Sequence, residues 1–334
     1  MGWEDEEIIR KSIDRLQSLQ VNRIRVLLDS RLDAIRIPPL GEPIKPSLEF
    51  RIDRSPWTTR HPDDNGKSDS EFIRFDINHW QRFERMLEYA REKDMIVSVI
   101  LGWNNTPMRP VAGSEDERRY VRYTVARLAA YSNVTWDLGD DLDSFRDAVW
   151  THETGTLVHN LDAYHHLATS HPVDNRYQDR SSHWFAMTSF QQWKRPLHAW
   201  MLEQRSQQIA TGRIIPQLNE EYGYEDHYPK WAPYKAPTAS ADGNRRAAWE
   251  IAMAGGYQTT GETAKRGTGM GSDSGGGWVN GRGDDTMMML REYAHMVMFF
   301  TGIEWWKTDP HDELVNHGAF CLAEPGRQYV IYLS

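Results

Sequence analysis

Cysteine is almost missing from this sequence. With Cys321 alone among 334 residues, no internal disulfide can form, and no zinc-type cysteine spacing exists. Long apolar runs are missing too. Ile96 to Leu101, interrupted by Ser98, is among the longest, far short of the ~20 residues a membrane helix needs, so no membrane partner is expected. A basic surplus is also lacking: Asp and Glu number 48 against 39 Lys and Arg, a net charge of −9. A duplex-binding surface needs a clustered basic footprint, so no nucleic-acid partner is expected. Residues 1–19 are charged and helix-patterned and lack the apolar core of a signal peptide, so no export signal is expected in this form of the chain; an earlier one could have been removed.

Motifs for metals and phosphates are equally scarce. His152, His159, His165 and His166 lie on one predicted helix without the His-Glu-x-x-His spacing, and a solvated or packed helix face is the commoner explanation. Asp141-Leu142-Asp143 begins like a calcium loop, but Phe145 occupies the next ligand position. The glycines between Gly267 and Gly283 lack the strand-glycine-helix context of a phosphate loop, and a flexible loop beside an active site is the better reading. No metal and no cofactor are expected.

What the chain does have is a core and a rhythm. Hydrophobic residues make up 39% and charged ones 26%, the balance of a soluble globular protein, while 14 Trp and 14 Tyr supply flat rings suited to cores and to sugar faces. Ile9, Ile13 and Leu16 recur at helical spacing before an alternating strand, Arg23 to Asp29. Asn78 and Gln81 suggest an N-cap for a helix striped by Trp80, Phe83, Leu87 and Ala90, with a strand from Met95 to Leu101 after it. Ser114 and Glu117 form a capping-box pattern before Val121, Val125 and Leu128, and Asn133 to Gly139 is the next strand. The alternation continues with a helix at about 144–169, strands near His171 and from Trp184 to Phe190, a helix between Pro196 and Gly212, a strand from Arg213 to Asn219, a helix capped by Asp242, a strand from Tyr257 to Thr260, and a helix from Asp284 to Phe300. Two strands then flank Glu324-Pro325-Gly326. Repeated units of this kind imply parallel βαβ connections, and their number favours a closed (β/α)8 barrel, which takes ~250 residues. Seven barrel strands are visible. The first is not evident, and both ends of the chain look clipped. The expected domains are a barrel over 1–306 and the beginning of a small β domain over 307–334.

Strand alternation places the polar chemistry. Ile24, Val26 and Leu28 share one face of their strand and Arg23, Arg25 and Asp29 the other; Val134, Trp136 and Leu138 oppose Thr135, Asp137 and Asp141; Ile214 and Leu218 oppose Gln217, Asn219 and Glu221. The polar sets are assigned to the barrel interior. Asp141 and Glu221 then fall at C-terminal strand ends, where barrel active sites sit. Two carboxylates across a cleft are what glycosidic cleavage requires, although strand-end acids also cap following helices, a role open to Asp141 and Asp143. Trp103, Gln191, Trp278, Arg31 and His171 lie at or after strand ends. Each alone is more often a packing residue; Trp103, Gln191 and Trp278 are retained as candidate sugar contacts.

The segments Asn133 to Asp141 and Gln217 to Glu225, with Ala252-Met253-Ala254-Gly255-Gly256-Tyr257, Gly275-Gly276-Gly277-Trp278, Tyr293-Ala294-His295 and Cys321-Leu322-Ala323-Glu324-Pro325-Gly326, together carry a family resemblance. The chain resembles the DUF4038, or apiosidase-like, glycoside hydrolases, which are (β/α)8 barrels often followed by a collagen-binding-type β domain and related to a clan of retaining barrel glycosidases. The resemblance implies a glycosidase acting on a plant or microbial polysaccharide, and an exported or periplasmic location is compatible with it. It also implies an acid/base at the end of the fourth strand, where the clan has Asn-Glu, and a nucleophile at the end of the seventh. Those positions read Asp140-Asp141 and Glu221 here, making Asp141 the acid/base, Glu221 the nucleophile, and Asp140 and Glu225 supporting, substrate-side acids. Glu220 competes with Glu221, but alternation sets it beside Leu218, facing the helices. Because Asp141 is one methylene shorter than Glu and Asp140 lacks an amide, the alternative is a weakened, carbohydrate-binding barrel.

Overall fold

The computed structural model describes residues 2, 5–29, 55–62, 68–102, 109–225, 240–259 and 288–333. The chain forms two compact units, the first ending at Ala186 and the second beginning at Met187. In the first, α1 (Glu6–Ser18) buries Ile9, Ile13 and Leu16 and leads into β1 (Arg23–Leu27). The hairpin β2 (Trp57–Pro62) and β3 (Ser68–Phe75), which the alternation of the sequence does not reveal, precedes α2 (Ile77–Glu92) and β4 (Ile96–Ile100). Then come α3 (Glu115–Leu128), β5 (Val134–Asp140), α4 (Ala148–Leu161) and β6 (Ala168–His171). The sheet order is β1-β4-β5-β6, and every pairing in it is parallel.

Several helix boundaries move from their predicted places. The N-cap of α2 is Asp76, whose carboxylate accepts from the amides of Asn78 and His79, so Asn78 lies inside the helix. Ser114 does cap α3, accepting from the Glu117 amide, but the Glu117 carboxylate reaches back one residue further, to the Gly113 amide at 2.6 Å. Helix α4 is shorter than 144–169 at both ends. It starts after Asp147, which accepts from the Trp150 amide, and stops at Leu161 because Asp162 leaves helical geometry and turns its carboxylate to other donors.

That carboxylate accepts from the Trp136 indole at 2.9 Å, from the backbone and ring of His166 at 2.9 Å each, and from the Tyr164 amide at 3.0 Å. Burial alone raises the pKa of Asp162; the donors outweigh it and hold the group below the ordinary 3.8. Asp162→Ala leaves the buried indole N–H of Trp136 without its acceptor, an expected cost of about 1–3 kcal/mol. With the folded pKa depressed, this contribution is present above the unfolded value and is lost as pH falls through the folded one. Urea unfolding from about pH 6 down to about pH 3 is therefore expected to show the gap between wild type and variant narrowing at the acid end. A constant gap contradicts the assignment.

In the second unit the segment from Met187 to Phe190 donates from Thr188 to Pro216 O and from Phe190 to Leu218 O, while before the unit boundary Ala186 donates to Ala168 O. The stretch is extended but makes only isolated bridges rather than the full strand predicted from Trp184 to Phe190. Helix α5 (Leu197–Ile209) leads to β7, which is only Leu218–Asn219. The predicted strand from Arg213 fails at Pro216, which has no N–H to give a ladder, and Ile214, assigned to the apolar face, is 82% exposed. Helix α6 (Ala241–Met253) is capped by Ser240, with Asp242 in its first turn. β8 (Tyr257–Gln258) pairs parallel with β7, and α7 (Met289–Thr301) follows. β9 (Asp309–Pro310), β10 (Ala319–Glu324) and β11 (Gln328–Leu333) form an antiparallel sheet, turned at Gly326, where a φ of 83° suits glycine. Its Leu322 and Val330 pack with Met253, bordered by Trp249, Phe300 and Tyr332. Among the described residues no strand precedes α1, and no helix is long and apolar enough to cross a membrane.

Candidate active site

In the first unit the register aligns Arg25 with Ser98 and Ser98 with Thr135, so these residues and Asp137 share one face of the sheet. The Arg25 guanidinium reaches from that face to Asp137 Oδ2 at 2.9 Å and to Asp140 Oδ1 at 2.8 Å. Burial and the Arg25 charge push the neighbouring Arg23 down to about 9. Strict alternation assigns Asp140 to the opposite face from Asp137. The pairing of β5 with β6 explains the difference: Asp137 lies opposite Thr169 and Asp140 opposite His171, three residues against two. This bulge turns Asp140 onto the Asp137 face, with its Oδ1 3.7 Å from His171 Nε2.

The same bulge carries Asp141 out of the strand. Its backbone is left-handed, φ 50° and ψ 40°, a region that costs most L-residues energy and that Asp and Asn tolerate best. The Asp141 carbonyl accepts from both the amide (3.0 Å) and the hydroxyl (2.6 Å) of Ser144, closing a short 3-10 turn over Leu142–Ser144. Asp141 is thus a backbone outlier at the C-terminal end of a parallel strand, a place where strain gathers in functional sites.

In the second unit the Gln191 side-chain amide donates to Glu221 Oε2 at 2.8 Å. Asn219 steadies the partner segment: its Oδ1 accepts from the Gln192 amide and its Nδ2 donates to the Gln192 carbonyl. Glu220 is buried and accepts from the Ser189 hydroxyl. The Tyr222 hydroxyl shares hydrogen bonds with Gln258 and Tyr293, and burial pushes both phenols up, so they act here as neutral groups. Glu225 accepts from the amides of Met288 and Met289 at 3.1 and 2.9 Å, the opening of α7. Gln191 and Glu221 are therefore in contact, Asp140 sits with Arg25 and His171, and Glu225 is engaged at a helix start. Trp103, Trp278 and Arg31, like the glycines from Gly267 to Gly283, lie outside the described residues. Sequence reasoning did not single out Arg25, although alternation had put it on the same side as Asp137.

A family model for the apiosidase-like catalytic domain matches residues 51–262, more than half of the chain. The chain belongs to the apiosidase-like family. The matching model describes that family's catalytic domain. Comparison with curated proteins gives no match. Among solved structures, the apiosidase-like chain is similar to a candidate glycoside hydrolase of Bacteroides vulgatus, with a TM-score of 0.75 at 16% identity over 96% of this chain and 60% of that one. It is also similar to a glycoside hydrolase family 5 protein of the same organism, with a TM-score of 0.67 at 12% identity over 96% and 71% of the two chains. An endo-β-1,4-mannanase of Thermotoga petrophila gives a TM-score of 0.53 at 15% identity over 91% and 76%. These likenesses identify the fold as a (β/α)8 barrel followed by a small antiparallel β element. The apiosidase-like chain spans about 60% of the length of the first of these structures.

Proposed function

We propose that this protein hydrolyses a glycosidic bond in a plant or microbial polysaccharide by a retaining, two-carboxylate mechanism, with Glu221 as nucleophile and Asp141 as acid/base. The contact that carries the reading is the 2.8 Å bond from Gln191 to Glu221 Oε2. One oxygen held by a neutral donor fixes the direction of the other oxygen, as attack on an anomeric carbon requires. In the first step Glu221 bonds to the anomeric carbon while the bond to the leaving oxygen breaks and Asp141 gives that oxygen its proton. In the second, the Asp141 carboxylate takes a proton from water, the water oxygen bonds to the anomeric carbon, and Glu221 departs. Trp103 and Trp278 are kept as sugar-stacking residues, and Asp140, Gln191 and Glu225 as groups that shape the substrate side. We further propose that 1–306 is the catalytic barrel and 307–334 opens a β domain.

A screen of glycans and 4-nitrophenyl glycosides with product analysis tests the activity; saturable binding without products favours the carbohydrate-binding alternative. Asp141→Asn tests the acid. It is expected to reduce turnover of glycans, whose leaving groups need a proton, by about 10²–10⁴-fold, and to reduce formation of the glycosyl-enzyme from activated aryl glycosides far less. Azide is expected to restore the second step by attacking in place of the water that Asp141 no longer activates. Equal loss on both substrates and no azide effect remove Asp141 from this role.

A further inference from the structure

We infer that Asp143 is the positioning residue of the acid/base, an inference that rests on Asp141 holding that role. Asp143 lies in the 3-10 turn immediately after Asp141, and its two carboxylate oxygens accept from consecutive backbone amides, Oδ1 from Val173 at 2.7 Å and Oδ2 from Asp174 at 2.8 Å. Those amides begin two residues beyond His171, the last residue of β6. Asp143 was a candidate helix cap on sequence grounds, but Asp147 caps α4. Its carboxylate instead fastens the turn that carries Asp141 to the chain leaving the neighbouring strand.

The turn has other restraints, and they act elsewhere. Leu142 is packed so closely beneath it that a Cβ on Gly139 would lie 2.7 Å from the Leu142 methyl. At the far end Arg146 donates to Glu117 at 2.7 Å, Glu117 also accepts from the Trp150 indole at 2.8 Å, and the Phe145 ring lies beside the guanidiniums of Arg109 and Arg146. These contacts hold residues 142 and 145–150. Among the restraints on the left-handed Asp141 are Ser144, bonded to its carbonyl, and Asp143, which ties the same turn to the chain leaving β6. A charged acceptor facing two parallel amides is a directional tie, and losing it frees the turn without emptying a core.

The test compares wild type, Asp141→Asn, Asp143→Ala and Asp143→Asn on 2,4-dinitrophenyl and phenyl glycosides of whichever sugar the hydrolysis screen identifies. A misplacement of about 1 Å costs on the order of 10²-fold. Asp143→Ala is therefore expected to lower kcat on the phenyl glycoside by about 10–100-fold with KM within about twofold. On the dinitrophenyl glycoside, whose departure needs no proton, glycosylation is expected to stay within about threefold, and the alkaline limb of kcat/KM for the phenyl glycoside is expected to move. Asp143→Asn keeps one acceptor oxygen but sets an NH2 against the other amide; it is expected to show the same pattern more weakly, and it serves where the alanine variant does not fold. Equal losses on both glycosides with an unmoved pH profile, or no loss on either, overturn the inference. If Asp141→Asn shows the leaving-group dependence and neither Asp143 variant does, the positioning role alone fails. If Asp141→Asn also lacks it, the acid assignment fails and takes the positioning role with it.

Discussion

Glu221→Gln is expected to lower kcat on any hydrolysed glycoside by about a thousandfold or more, since the amide keeps the shape and the contact with Gln191 but removes the charge that the proposed mechanism sends against carbon. Circular dichroism and the unfolding midpoint are expected to stay near wild type, because the carboxylate lies at a strand end rather than in the apolar core. Glu220→Gln is the matched control. Glu220 is buried against the Ser189 hydroxyl, and a glutamine oxygen still accepts that bond, so activity is expected to remain within about tenfold of wild type. A lethal Glu220→Gln beside a near-normal Glu221→Gln would reverse the two assignments.

The second large effect concerns Arg25. Its guanidinium stands between Asp137, whose side chain is fully buried, and Asp140, whose side chain is four-fifths buried. Replacing it by methionine leaves two carboxylates facing each other with no cation between them, and removing one partner from such a group costs about 3–5 kcal/mol. Urea unfolding is expected to register a loss of that order. Adding Asp140→Asn to Arg25→Met is expected to restore part of it by removing one of the two stranded charges, a positive coupling that a double-mutant cycle measures. Additive losses would mean that Arg25 stabilises the sheet through packing of its stem instead.

Much of this was legible in the sequence because it is local. The stripes of α1, α2 and α3 and the cap at Ser114 depend on residues within one or two turns. Alternation correctly set Arg25 and Asp137 on one face, since β1, β4 and the first part of β5 are regular. It failed where a neighbouring strand decides the outcome. The bulge in β5 appears only when β5 is paired with β6; alternation alone runs straight on to Asp141, which the bulge carries out of the strand. The alternation before Glu221 runs through Pro216, whose missing N–H ends the ladder there, and the hairpin β2–β3 has no clean apolar alternation to announce it. Gln191 reads in the sequence only as a sugar contact, for nothing in a linear sequence brings it to Glu221. Asp143 suits a cap for the helix nearest in sequence, whereas its carboxylate oxygens serve amides thirty and thirty-one positions away.

The left-handed backbone at Asp141 also shapes how this protein drifts under mutation. Few side chains other than glycine sit there without strain, and the two polar ones that do best are aspartate and asparagine. An exchange between them is compatible with the same backbone geometry and with the bonds from Ser144, which end on the main-chain carbonyl of residue 141. On the proposed role, that one-atom change removes the proton donor while the turn keeps its backbone. Position 141 is therefore where a descendant that keeps this turn but no longer donates a proton is expected to differ.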